Sequence, residues 1–88
     1  MRITSVYPTR TFKLIMEFEQ KEYRILDVKE LLVEDSGLLA EIRDTVSIFI
    51  TAKVDPVAGT VGWANGVDID PLVLYYKSLD LEELLKKS

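Results

Sequence analysis

Eighty-eight residues, 48% of them hydrophobic and 30% charged, describe a globular chain long enough for one domain with a core of its own. There is neither cysteine nor histidine, which excludes disulfides, thiolate metal sites, a cysteine nucleophile and the commonest general base at neutral pH. Fifteen acidic against eleven basic residues leave a net charge of −4, which opposes the phosphate neutralisation that nucleic-acid binding requires and favours a basic protein partner.

The opening residues lack the apolar core of a signal peptide, and no apolar run nears the roughly 18 residues of a membrane span, so a cytoplasmic location is expected. RITSVYP reads as a short strand closed by Pro8. In TFKLIMEF, residues 11–18, Phe12, Leu14, Met16 and Phe18 alternate with Thr11, Lys13, Ile15 and Glu17, the two-residue period of a half-buried strand. The polar EQKE separates it from YRILDV, so the first third is expected to be a three-strand meander.

Asp27, followed three residues later by Glu30, forms a capping-box pattern that predicts a short helix from near Val28 ending before Gly37. Leu38, Leu39 and Ile42 predict a second helical turn over Leu38 to Arg43. In SIFITAKVD, Ile48, Ile50, Ala52 and Val54 alternate with Phe49, Thr51, Lys53 and Asp55, which predicts a strand. DPVAG then turns the chain into TVGW, making a hairpin with Val61 and Trp63 on a common face.

From Pro71 onward, Leu72, Tyr75, Tyr76 and Leu79 fall at i, i+3, i+4 and i+7, which predicts one apolar helical stripe. Asp80 and Glu83 start a second helix, with acids first and Lys86 and Lys87 last, and a solvated, frayed end is expected. The mixture indicates an α+β fold in two layers, a small antiparallel meander and hairpin sheet with short helices in the middle and at the C-terminus, as a single domain over residues 1–88. Edge strands offer a route to a homodimer.

Functional residue types concentrate in GTVGWANGVDIDPLVLYY, residues 59–76. Asn65-Gly66 predicts a type I′ turn, and Asp70 before Pro71 predicts a helix cap. Asp68 and Asp70 share one side of an extended segment, where Asn65 or Asp55 would join them around Ca²⁺ or Mg²⁺. The stretch nonetheless lacks the ligand ladder of a calcium loop, which favours turn plus cap. Trp63, Tyr75 and Tyr76 read first as core, but adjacent tyrosines on a helix diverge by about 100°, so one phenol is expected at the surface near Asn65. A partly exposed Trp-Tyr patch would be an interaction surface. No catalytic residue, resident metal or cofactor is assigned.

With Trp63, Asn65, Gly66, Asp68, Pro71, Leu74 and Tyr75 at fixed spacing, WANGVDIDPLVLY resembles the Trp-x-Asn-Gly-x-Asp-[Ile/Leu]-x-Pro-x-x-Leu-Tyr signature of a small prokaryotic family of unknown function. The likeness extends over nearly the whole chain, through RILDVKELL and FITAKVD. Ala64 stands where a proline is common, and EQKE where the second hairpin usually contains Gly; both changes bear on turn stiffness. The resemblance implies an α+β fold and no established enzymatic activity. Some relatives stand alone, some are encoded beside another small protein in toxin–antitoxin-like pairs, and some precede a helix-turn-helix domain. With Lys87-Ser88 as the last residues read, a DNA-reading helix pair is not expected.

The expectation is therefore a non-enzymatic interaction or regulatory module that binds a small basic protein through an acidic face and the segment carrying Trp63, Asn65, Asp68, Asp70, Tyr75 and Tyr76. A second expectation, from another class, is a small-molecule or divalent-cation binding domain using Asp68 and Asp70. Direct nucleic-acid binding ranks third.

Overall fold

The computed structural model describes residues 1–87; Ser88, the tip of the expected frayed end, lies outside them. The chain opens with the meander that its two-residue period predicts: β1 (Ile3–Pro8), β2 (Lys13–Phe18) and β3 (Tyr23–Asp27), paired antiparallel in that order. In each connection three residues lie inside the hydrogen-bonded closing pair, and the last of the three is left-handed. In the first, Phe12 N–H donates to Thr9 O (3.3 Å) and Thr9 N–H to Lys13 O (2.9 Å), with Phe12 at φ 65°. In the second, Lys21 N–H donates to Phe18 O and Phe18 N–H to Glu22 O, both at 2.9 Å, with Lys21 at φ 65°. Phe12 thus belongs to the turn and not to the strand expected over 11–18, yet its ring reaches the core 5.3 Å from Phe49.

Asp27 caps α1 (Val28–Leu31), its carboxylate accepting from Glu30 N–H at 3.2 Å. This helix is shorter than expected, and a turn follows whose carbonyls, those of Leu32, Val33 and Asp35, accept from the Arg43 guanidinium (2.9, 3.3 and 2.9 Å). Arg43 sits on α2 (Leu38–Asp44), where the leucine spacing predicts a helix.

The strand expected over 47–55 is mostly absent. Val46–Phe49 forms a helical turn, α3, and only Lys53–Val54 is a strand, β4. The residues that turn inward are Phe49 and Ala52, three apart, while Ile50 is exposed, so a helical and not an alternating phase satisfies the core. β4 pairs with β5 (Val61–Gly62), and β5 with β6 (Asp68–Ile69), as a second antiparallel sheet. The chain ends with α4 (Pro71–Lys77), β7 (Leu79–Asp80) and α5 (Leu81–Lys86), and β7 joins the first sheet as its fourth strand beside β3. Asp80 caps α5 by accepting from Glu83 N–H (3.1 Å), as the second capping box predicts.

The two sheets meet at β1. Ile3 N–H donates to Gly59 O (3.1 Å), and the Arg2 guanidinium donates to the carbonyls of Pro56 and Val57. Gly59 holds φ 74°, and a Cβ there would lie 3.0 Å from Arg2 Cβ, so this junction requires glycine. Leu14, Met16 and Phe18 of β2 are fully buried and face Val28, Ile42, Phe49, Val61, Trp63 and Leu74 in one α+β core. The opposite face of the first sheet carries Tyr7, Ile15, Ile25 and Leu79 in a single cross-strand row.

Candidate functional site

Residue type singles out the segment over 59–76, and the structure gives its members separate environments. Trp63, at 5% exposure, is a core residue: its indole N–H donates to Phe49 O (3.0 Å), and the two rings lie 6.4 Å apart. Val61, on the same face, is buried as expected.

The β5–β6 connection is a tight turn, but not type I′. Among the described residues the positive-φ positions outside glycine are Phe12 and Lys21, so Asn65 is not left-handed, and Gly66 alone (φ 91°) supplies the reversal. Gly66 N–H donates to Trp63 O (3.0 Å) and Trp63 N–H to Val67 O (2.8 Å), the same three-residue closure as in the meander. The conformation frees the Asn65 side chain for other work. Its amide donates to Leu38 O and Glu41 Oε1, both at 3.1 Å, and its oxygen accepts from Val67 N–H (3.2 Å), so Asn65 ties this turn to α2.

Asp68 and Asp70 are exposed. Asp70 is the helix cap its position predicts, Oδ1 accepting from Leu72 N–H at 2.8 Å, with Pro71 in the first helical position, where an amide would have no helical acceptor. No group of three or more His, Cys, Asp or Glu side chains able to hold a metal occurs among the described residues.

The helical stripe runs in a different phase from the one expected. Pro71, Leu74 and Ser78 are buried and Tyr75 is half-buried, whereas Leu72, Val73 and Tyr76 are exposed by 49%, 43% and 72%. Leu79 has left the helix for β7, where it pairs with Ile25. The cause of this phase lies on β3. Arg24 Nε donates to Ser78 Oγ and Nη2 to Ser78 O, both at 2.8 Å, and its guanidinium stacks 4.1 Å from the Tyr75 ring centre while pairing with Glu22. Tyr75 OH donates to Glu22 Oε1 (2.8 Å), and its ring meets Phe18 edge-on at 5.2 Å. That hydrogen bond, then desolvation and the Glu22 charge, hold the phenol pKa above its ordinary value. Glu22, Arg24 and Ser78 thus form a latch that residue typing overlooks. The available signal was Arg24 itself, a charge at an inward position of YRILD, one that needs a buried partner.

The segment therefore divides into a buried half, with Trp63, the Asn65 bridge and the Tyr75 latch, and an exposed half. The exposed half is the outer side of α4, Leu72, Val73 and Tyr76, preceded by the carboxylates of Asp68 and Asp70.

No helix among the described residues is long and apolar enough to cross a membrane. No curated protein and no solved structure matches the chain. A family model does match residues 3–80, from the first residue of β1 to the last of β7, with α5 outside; on that match the chain belongs to the family described as protein of unknown function DUF2442.

Proposed function

We propose that the chain is a non-enzymatic interaction module whose docking surface is the outer side of α4, and that its partner is a small basic protein. The observation that carries this reading is the exposure of Leu72, Val73 and Tyr76 on one short helix whose other side is locked into the core. An aromatic anchor flanked by aliphatic side chains is the composition of an interface centre. Asp68 and Asp70 stand at the head of the helix, and the chain carries a net charge of −4, so a cationic partner is attracted from a distance while the apolar side chains supply affinity. The resemblance to a family with members in toxin–antitoxin-like pairs adds a genetic expectation, that the partner is encoded alongside.

The test is co-purification at low salt with the tagged chain, repeated with Tyr76→Ala and with Asp68→Lys. Tyr76→Ala is expected to weaken a stoichiometric complex at least tenfold through faster dissociation. Asp68→Lys is expected to slow association and flatten its salt dependence. A complex indifferent to both would assign the docking surface elsewhere.

A further inference from the structure

We infer that the outer face of the four-stranded sheet is a self-complementary surface through which two copies of this chain pack face to face, about a two-fold axis parallel to the strands. This goes beyond the α4 reading and uses a different side of the molecule. The strand registers lay the face out as a grid. Tyr7, Ile15, Ile25 and Leu79 form the central row, Lys13 and Asp27 flank it on one side, and Glu17 and Tyr23 on the other.

Two features select a second copy over an unrelated partner. The first is charge. A two-fold between β2 and β3 exchanges those columns, so Lys13 of each copy faces Asp27 of the other, and Glu17 of each faces the Tyr23 phenol of the other. These are pairings the chain already makes with itself. Lys13 Nζ lies 3.3 Å from Asp27 Oδ2, and the Glu17 charge, with burial and a hydrogen bond to Glu17, raises the Tyr23 phenol pKa. At these four positions two copies thus set Lys13 against Asp27 and Glu17 against a phenol, without a like-charge pairing across the axis.

The second feature is shape. Tyr7, 55% exposed, projects at the β1 end of the row, and at the other end a cavity of about 380 Å³ opens between Ile25, Leu31 and Leu79, with Asp27, Glu30 and Lys77 also lining it and able to meet a phenol. The rotation that exchanges the columns also carries β1 over β7, which sets each Tyr7 above the cavity of the other copy. Packed sheets lie about 10 Å apart and cross at about −30°, which leaves room for both rows to interdigitate.

The strand edges do not compete for this role. β1 is covered at Ile3 by Gly59 and ends in Pro8, which has no N–H, and β7 is two residues long. Four strands of up to six residues span roughly 400 Å² of sheet. A standard interface buries about 800 Å² per partner, so a dissociable dimer is expected.

Sedimentation equilibrium across a concentration series should show the wild type passing from monomer to dimer, and Tyr7→Asp should raise the dissociation constant at least tenfold. A wild type that stays monomeric at its highest soluble concentration overturns the inference. So does a dimer untouched by Tyr7→Asp, or one lost with Tyr76→Ala instead. Because the chain has no cysteine, a second test is independent of any loss of folding. Within one copy, Tyr7 and Leu79 are three strand spacings apart, about 14 Å, whereas between copies they face each other across one sheet spacing of about 10 Å, itself too wide for a direct disulfide. A bifunctional thiol cross-linker of short reach is therefore expected to give covalent dimers from the Tyr7→Cys/Leu79→Cys double variant, and far fewer from each single variant. Equal yields from all three would count against the face.

Discussion

Lys21 carries a backbone cost that its side chain does nothing to offset. Four hairpin loops among the described residues end on a left-handed position, and these are Phe12, Lys21, Gly59 and Gly66. At Phe12 the ring packs on Phe49 and receives the Lys29 ammonium at 4.2 Å, so the side chain recovers what the φ of 65° costs. Lys21 is exposed, and its side chain takes part in no such packing. A left-handed residue with a Cβ costs about 1 kcal/mol relative to glycine. Lys21→Gly is therefore expected to stabilise the chain by about that amount, raising the melting temperature by roughly 4–8 °C, whereas Phe12→Gly is expected to lower it. Calorimetry on the two variants checks the contrast, and a Lys21→Gly chain that melts no higher than wild type would contradict this account of the turn.

At the scale of elements, what is legible in the sequence is what is local. The alternation of β2 and the caps at Asp27, Asp70 and Asp80 all lie within a few residues of the structure they specify. Two elements escape such a window. Residues 46–49 curl into α3 although 48–54 alternate perfectly, because Phe49 O takes the Trp63 indole N–H and Thr51 Oγ1 takes Ala64 N–H, partners thirteen or fourteen positions away. The facing of α4 is likewise set by Arg24, 54 residues upstream of Ser78, and not by the leucine and tyrosine spacing within the helix. For the candidate site, residue type finds Asp70 and Tyr76 but cannot tell a buried tryptophan from an exposed one. The cap itself is testable. Asp70→Ala should cost about 1 kcal/mol in urea denaturation, and Asp70→Asn far less, since an amide oxygen caps nearly as well. Equal losses from both would mean that the charge, and not the hydrogen bond to Leu72 N–H, is what matters there.

For the whole molecule, the latch of Glu22, Arg24, Tyr75 and Ser78 is the join between the first third of the chain and the last. Its pH dependence has a definite sign. Because the folded phenol of Tyr75 holds its proton more tightly than the unfolded one, its contribution is fully present below the ordinary phenol range, about pH 10, and is lost as pH rises through the higher folded value. Tyr23, raised first by the Glu17 charge, acts in the same direction. The stability difference between wild type and Tyr75→Phe should hold steady below about pH 10 and shrink above it. A difference that persists undiminished in strong base would rule out the phenol as the group responsible. The latch also orders events in time. The meander closes through short loops, but Tyr75 must find Glu22 at a sequence separation of 53, a search whose entropy is not repaid until contact is made. On a chain emerging from its N-terminus, Phe18 waits without its aromatic cover and Ile25 without its edge strand until the last fifth of the sequence has been made. The stretch from Tyr75 to Asp80 thus acts as the closing step of assembly.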